Sequence, residues 1–274
     1  MSNGNSHGKH RQRGIRGLVG VSALVMLGFF AGPIGAHDVW ITTVHEGPNS
    51  IRAVVHHGHP GDRKTPDPDK LFELIVQRGQ QPPQSLLPGI KSTLQNGLPV
   101  LMTDPLALAN EAGLVIFAAR YDNGYWVKMS HGHRNTSKRQ VPDAEDSLYS
   151  MKFAKALLQI GSETTDVYQR KVGHRLELVP LSNPFVSQLG DNLKIQVYFD
   201  GKPLPGSEVE NGDGITPMEE KDIPRYRTDQ HGIAVIPITR RGLHLFVVDH
   251  RESSLHPDLA GRELYNATLS FVLP

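Results

Sequence analysis

Ile34-Gly35-Ala36-His37-Asp38-Val39-Trp40-Ile41-Thr42-Thr43-Val44 is the stretch on which this chain turns. From Val39 to Val44 the residues are β-branched or aromatic, the composition of a strand, so the folded part is predicted to open on a strand led by His37. Upstream, residues 1–17 are polar and carry Lys9, Arg11, Arg13 and Arg16 with no acid. Leu18–Phe30 is largely apolar, about as long as a signal-peptide core and short for a bilayer span. Gly32-Pro33 ends that run, and Ile34-Gly35-Ala36 supplies small residues for a signal peptidase. Cleavage after Ala36 would leave a periplasmic protein beginning with His37. Its free α-amine and imidazole could then close one chelate ring, since both lose a proton to a metal near neutral pH.

Removing residues 1–36 takes away four basic side chains and no acid. That leaves 25 Lys and Arg against 28 Asp and Glu, so the formal charge moves from +1 to −3. No clustered basic face is visible, which argues against nucleic acid as a partner. Cysteine is absent, which excludes disulfides and thiolate metal sites. Twelve of the 14 histidines remain, a nitrogen ligand supply suited to nickel, cobalt, copper or zinc.

Ile51–His57 reads as a second strand running into His56-His57-Gly58-His59-Pro60-Gly61-Asp62, where glycine and proline force a turn. Side chains on a strand repeat every two residues, so His57 and His59 share a face and His56 points away. Either the pair ligates a metal or it is a solvated hairpin end. Leu71–Val76 and Gly113–Arg120 read as strands, and Asp122-Asn123-Gly124 predicts a hairpin into Tyr125–Met129. Beyond it His131 and His133 form a second His-x-His pair, either a further ligand source or surface histidines.

One helix is predicted, Asp146–Ile160. Acids precede it, Leu148, Met151, Ala154, Lys155 and Leu158 fall at helical spacing, and Gly161 can stop it. Lys152 and Lys155 would then face outward or snorkel. From Gly173 short strands resume at His174–Val179, Leu193–Phe199, Ile233–Ile238, Gly242–His250 and Ala267–Leu273, separated by turns. The expectation is an all-β protein of two β-sandwich domains, residues 37–170 and 171–274, after a signal peptide at 1–36.

In order along the chain stand His37-Asp38-Val39-Trp40, Gly58-His59-Pro60, Tyr149 with Ala154-Lys155, and Leu176–Pro184 (Leu-Glu-Leu-Val-Pro-x-x-Asn-Pro). Gly201–Gly206 and Thr228–Gly232 match the turns of transthyretin-like and immunoglobulin-like modules. The set resembles the periplasmic component family attached to ABC-type cobalt and nickel uptake systems, many of whose members are labelled only as a domain of unknown function. The resemblance covers residues 37–274. It implies a metal-delivery protein rather than an enzyme, with nickel or cobalt as cargo and copper or zinc as further options. The partner would be a membrane metal-uptake transporter, the sole route of membrane contact.

The ligand set expected on this reading is His37, His59 and His250, with His57 and His131 as further candidates. Asp38 and Asp249 would orient the imidazoles from behind. His250 has an ordinary reading as well, a surface histidine in a charged strand end. Two other functions compete: a copper histidine-brace enzyme acting on a polymer, and an adhesion or assembly sandwich without metal. No Ser-His-Asp order, phosphate-cradling glycine loop or His-Glu-x-x-His motif is present.

Overall fold

The structure, a computed structural model, describes Met1 and residues 37–47, 49–108, 113–163 and 165–274. The expected signal segment and its cleavage site therefore lie outside the described residues. The first half of the chain gives β1 (Asp38–His45), β2 (Ser50–His59), β3 (Asp62–Lys64), β4 (Leu71–Arg78), β5 (Gln84–Ser85), β6 (Lys91–Gln95), β7 (Leu98–Met102), β8 (Leu106–Ala107), β9 (Gly113–Met129), β10 (Gly132–Arg134) and β11 (Asp146–Ile160). The second gives β12 (Leu176–Pro180), β13 (Asn192–Phe199), β14 (Lys202–Pro203), β15 (Glu208–Gly212), β16 (Arg225–Arg227), β17 (Ile233–Pro237), β18 (Gly242–Ser253) and β19 (Arg262–Leu273). The all-β expectation holds.

Three sheets result. A six-stranded sheet runs β1-β2-β7-β6, with β3 and β8 paired to β2. A nine-stranded sheet runs β16-β15-β18-β19-β11-β9-β4-β5, with β10 on β9, and a four-stranded sheet joins β12-β13-β14 with β17. Residues 37–170 supply the first sheet, residues 171–274 the third, and both supply the middle one. The two contributions meet where β11 pairs in parallel with β19, Leu148 opposite Arg262 through Ala156 opposite Ser270.

The middle sheet carries a core on each face, and strand alternation explains why. On β9, Leu114, Ile116 and Ala118 pack with Leu176, Leu178, Ile195 and Val197 of the four-stranded sheet. The intervening Val115, Phe117, Ala119 and Tyr121 pack with Val39, Ile41, Ala53 and Val55 of the six-stranded one. Each large side chain buried in this way contributes about 1.5–3 kcal/mol.

This double burial corrects the helix expectation. Asp146–Ile160 is strand β11, paired to β9 on one side and β19 on the other. A strand covered on both faces needs no polar alternation, so its apolar run matches helical spacing equally well. Lys152 and Lys155, expected outward or snorkelling, are 0% and 1% exposed. Lys155 pairs with buried Glu177 of β12 and donates to the Leu178 carbonyl at 3.1 Å. Glu177 accepts the Val172 and Gly173 amides at 2.8 and 3.2 Å, so this charged pair bolts the middle sheet to the third.

The hairpin expected at Asp122-Asn123-Gly124 is also corrected. β9 runs through it, and the pairing register to β11 skips one residue there, a β-bulge. Gly124 takes φ +79° and its amide donates to Asp122 Oδ1 at 2.9 Å, so the turn-forming residues serve the bulge instead. The reversal comes later, between Met129 and Gly132, and places His131 at an exposed hairpin tip.

Candidate metal site

The β1–β2 pairing sets Val39 opposite His57 and Asp38 opposite Gly58. Pro60-Gly61 then forms a two-residue turn, with His59 paired to Asp62 of β3. Gly58 adopts φ +113°, and a Cβ there would lie 2.3 Å from the Asp62 carbonyl oxygen. A side chain at 58 would have to open the hairpin that aims His57 and His59. Gly58→Ala should therefore cost about 2–4 kcal/mol in urea unfolding; a loss within ~0.5 kcal/mol, that of an ordinary surface change, would contradict this.

Three imidazoles meet at this strand end. The His37 ring centroid lies 5.2 Å from that of His59 and 5.6 Å from that of His57, and His57 abuts the Tyr121 ring at 5.3 Å. Asp62 Oδ2 is 3.6 Å from His37 Nε2, and Asp38 Oδ2 is 3.5 Å from His59 Nδ1. His56 points the other way, as alternation requires: it stacks on Trp40 at 5.0 Å and shares a 2.8 Å hydrogen bond with Thr42 Oγ1. Among the described residues, no group of three or more His, Asp or Glu side chains is placed so that it could hold a metal ion without rearrangement.

The environments of the three rings differ. His57 is buried, and neither ring nitrogen has a hydrogen-bond partner. Burial, aided by the nearby Lys152 charge, pushes its pKa down to about 3 and keeps it neutral. His37 is lowered, first by burial and then by the neighbouring His59 charge. His59 is raised, first by its hydrogen bond to Asp38. A neutral imidazole with an open lone pair is the form a metal ligand must take, and His57 holds that form.

Beneath the rings lies a polar array. Asn266 of β19 donates through Nδ2 to Asp38 Oδ1 and Asp249 Oδ1, each at 2.9 Å. Lys152 is fully buried nearby, its Nζ lacks a hydrogen-bond partner, and desolvation pushes its pKa down to about 8 against the pull of Asp38 and Asp249. As a helix, residues 146–160 would not bring Lys152 to the site. As a strand, the same residues put Lys152, Ala154 and Ala156 on one face, the face toward β1.

The structure brings His37, His57, His59 and Asp38 together, joins Asp249 to Asp38 through Asn266, and leaves His250 and His131 apart. His250 is corrected. Its neighbour Asp249 points toward Asp38, so His250 faces the opposite side of the sheet, its ring tilted against that of Phe199 with centroids 4.2 Å apart. Asp249 consequently cannot orient His250. His131 is exposed beyond Met129, on the order of 25 Å along β9 from the Tyr121 that touches His57. His133 is exposed on the same hairpin.

Over residues 34–252 the chain matches the family described as "Domain of unknown function (DUF4198)". It is 27% identical over 224 residues to an uncharacterized protein of Haemophilus influenzae, covering 81% of this chain and 82% of that one. Among solved structures, the D0-D1 domain of Intimin aligns over 86% of this chain and 97% of its own at 12% identity. The TM-score of that alignment is 0.20, too low to carry a structural argument.

Proposed function

We propose that this chain, which belongs to the DUF4198 family, binds a divalent transition metal at the His37–His57–His59 edge and passes it to a membrane uptake transporter. The observation carrying the reading is His57, a buried neutral imidazole with two unpartnered ring nitrogens, flanked by two further imidazoles. Buried polar nitrogens without partners are costly, and a metal taken up by one of them would offset part of that cost. Cleavage after Ala36 would add the His37 α-amine as a ligand and put the protein in the periplasm. Imidazole nitrogens bind nickel, cobalt, copper and zinc at roughly 2 Å, so rings 5–6 Å apart need modest side-chain rotation to converge. The choice of nickel or cobalt, and the transporter as recipient, rest on the family resemblance.

A carrier must release its cargo, and His59 suits that need. Asp38 favours its protonated form, so mild acid competes with the metal at His59 while His57 stays available. The chain is read as a binder and not as an enzyme.

Calorimetric titration of the processed protein with nickel, cobalt, copper and zinc tests the site. His57→Ala and His59→Ala should each weaken binding by about tenfold or more, as should one extra residue placed before His37. His250→Ala, His131→Ala and His231→Ala should leave affinity unchanged. Loss of binding in His250→Ala with none in His57→Ala would reverse the assignment.

A further inference from the structure

A separate cavity opens between the middle sheet and the four-stranded sheet. Its volume is about 660 Å³, within the range of pockets that hold small organic molecules. Tyr149, Met151 and Phe153 of β11 form one wall, with Tyr265 of β19 and Tyr198 of β13 beside them. Tyr149 forms a tilted ring pair with Tyr125, centroids 5.0 Å apart. The wall is thus broad, aromatic and apolar, shaped for a flat ring.

The charges around it are unequal in their partners. Arg120 is held by Glu73 at 3.1 Å, and Arg175 by Asp200 at 2.9 Å and Glu252 at 2.8 Å. Lys171 differs: its Nζ lies 3.5 Å over the Tyr198 ring, and among the described residues no carboxylate stands within ion-pair distance of it. Deeper, His174 is buried against Phe153 at 5.1 Å, with its Nε2 lacking a hydrogen-bond partner. One open cation therefore borders the aromatic wall, and two buried nitrogens without hydrogen-bond partners lie in the lining, His174 Nε2 and Arg120 Nε, at 3.9 and 3.1 Å from Glu73 Oε1.

We propose that this cavity binds a small aromatic monocarboxylate, its ring against Tyr149 and Phe153 and its carboxylate on Lys171. A cationic ligand would meet Lys171 without a compensating free acid. A dianion would find no second open cation, since both arginines are occupied. A neutral ring would leave Lys171 unused. His174 Nε2 supplies a second polar contact to a ring substituent. The site shares no residue with the histidine edge and does not depend on metal.

Ligand-observed NMR with benzoate, benzyl alcohol and benzylamine, all of one ring size, tests the proposal on the full-length processed protein. Benzoate should bind, and the other two should bind at least about tenfold more weakly. Lys171→Gln should weaken benzoate by a similar factor, Lys171→Arg should keep it, and His57→Ala should not alter it. Equal binding of benzoate and benzyl alcohol, no effect of Lys171→Gln, or no binding of any probe would overturn it.

Discussion

Between pH 7 and pH 5 the protein is expected to lose on the order of 5 kcal/mol of stability, a change comparable to the whole stability of many domains. His56 and His57 are pushed down to about 3 and His244 to about 4, each chiefly by burial, with Arg63, Lys152 and Arg240 respectively adding to the effect. A histidine whose pKa is depressed in the fold stays neutral there while its unfolded form takes a proton below about 6.5. Its contribution is therefore complete above about 6.5 and drains away as the pH falls toward 3–4. From these three histidines alone, about three more protons bind to the unfolded chain near pH 5, a slope of roughly 4 kcal/mol per pH unit. His59, raised by Asp38, works in the opposite sense and offsets part of this. Urea midpoints at pH 7 and pH 5 measure the loss, and His57→Asn should flatten the dependence by about one proton. A midpoint independent of pH would refute the burial of neutral histidines.

Breaking the Lys155–Glu177 pair should be nearly as damaging. Both side chains are almost fully buried, at 1% and 3% exposure, and Glu177 also holds the Val172 and Gly173 amides. Lys155→Ala leaves a carboxylate in the interior with no cation, at a cost of about 3–5 kcal/mol. Replacing both partners by apolar residues of similar volume, Lys155→Met with Glu177→Leu, removes the stranded charge and should recover much of that loss. The recovery is limited by the two amides that Glu177 no longer accepts. Thermal unfolding of the single and double variants decides it. A single variant as stable as the parent would show that the pair does not join the layers.

Much of the β architecture is legible in the chain because its signals are local. Val39–Val44, the Gly58–Gly61 reversal and the shared face of His57 and His59 all follow from residue type and period-two alternation. What is not legible depends on partners far along the chain. Asp146–Ile160 matches a helix because β9 and β19 bury both its faces, and no property of those fifteen residues announces either neighbour. The bulge at Asn123 uses the same residues as a hairpin turn, so the continuous partner strand decides between them. Alternation does separate Asp249 from His250, but which of them faces β1 depends on how β19 lies beside β11. In sequence His57 is only a further candidate beside His59. Burial against Tyr121, a contact between distant segments, turns it into the unpartnered neutral ring.

Whether His37, His57 and His59 hold one metal together is read ring by ring by imidazole ¹⁵N NMR during titration with zinc, a diamagnetic probe. Ring-nitrogen signals of His37, His57 and His59 should shift together and reach their limit at one equivalent, while those of His131, His133 and His250 stay in place. If His57 keeps its signal while the exposed histidines move, the metal sits elsewhere and the three rings do not form its site.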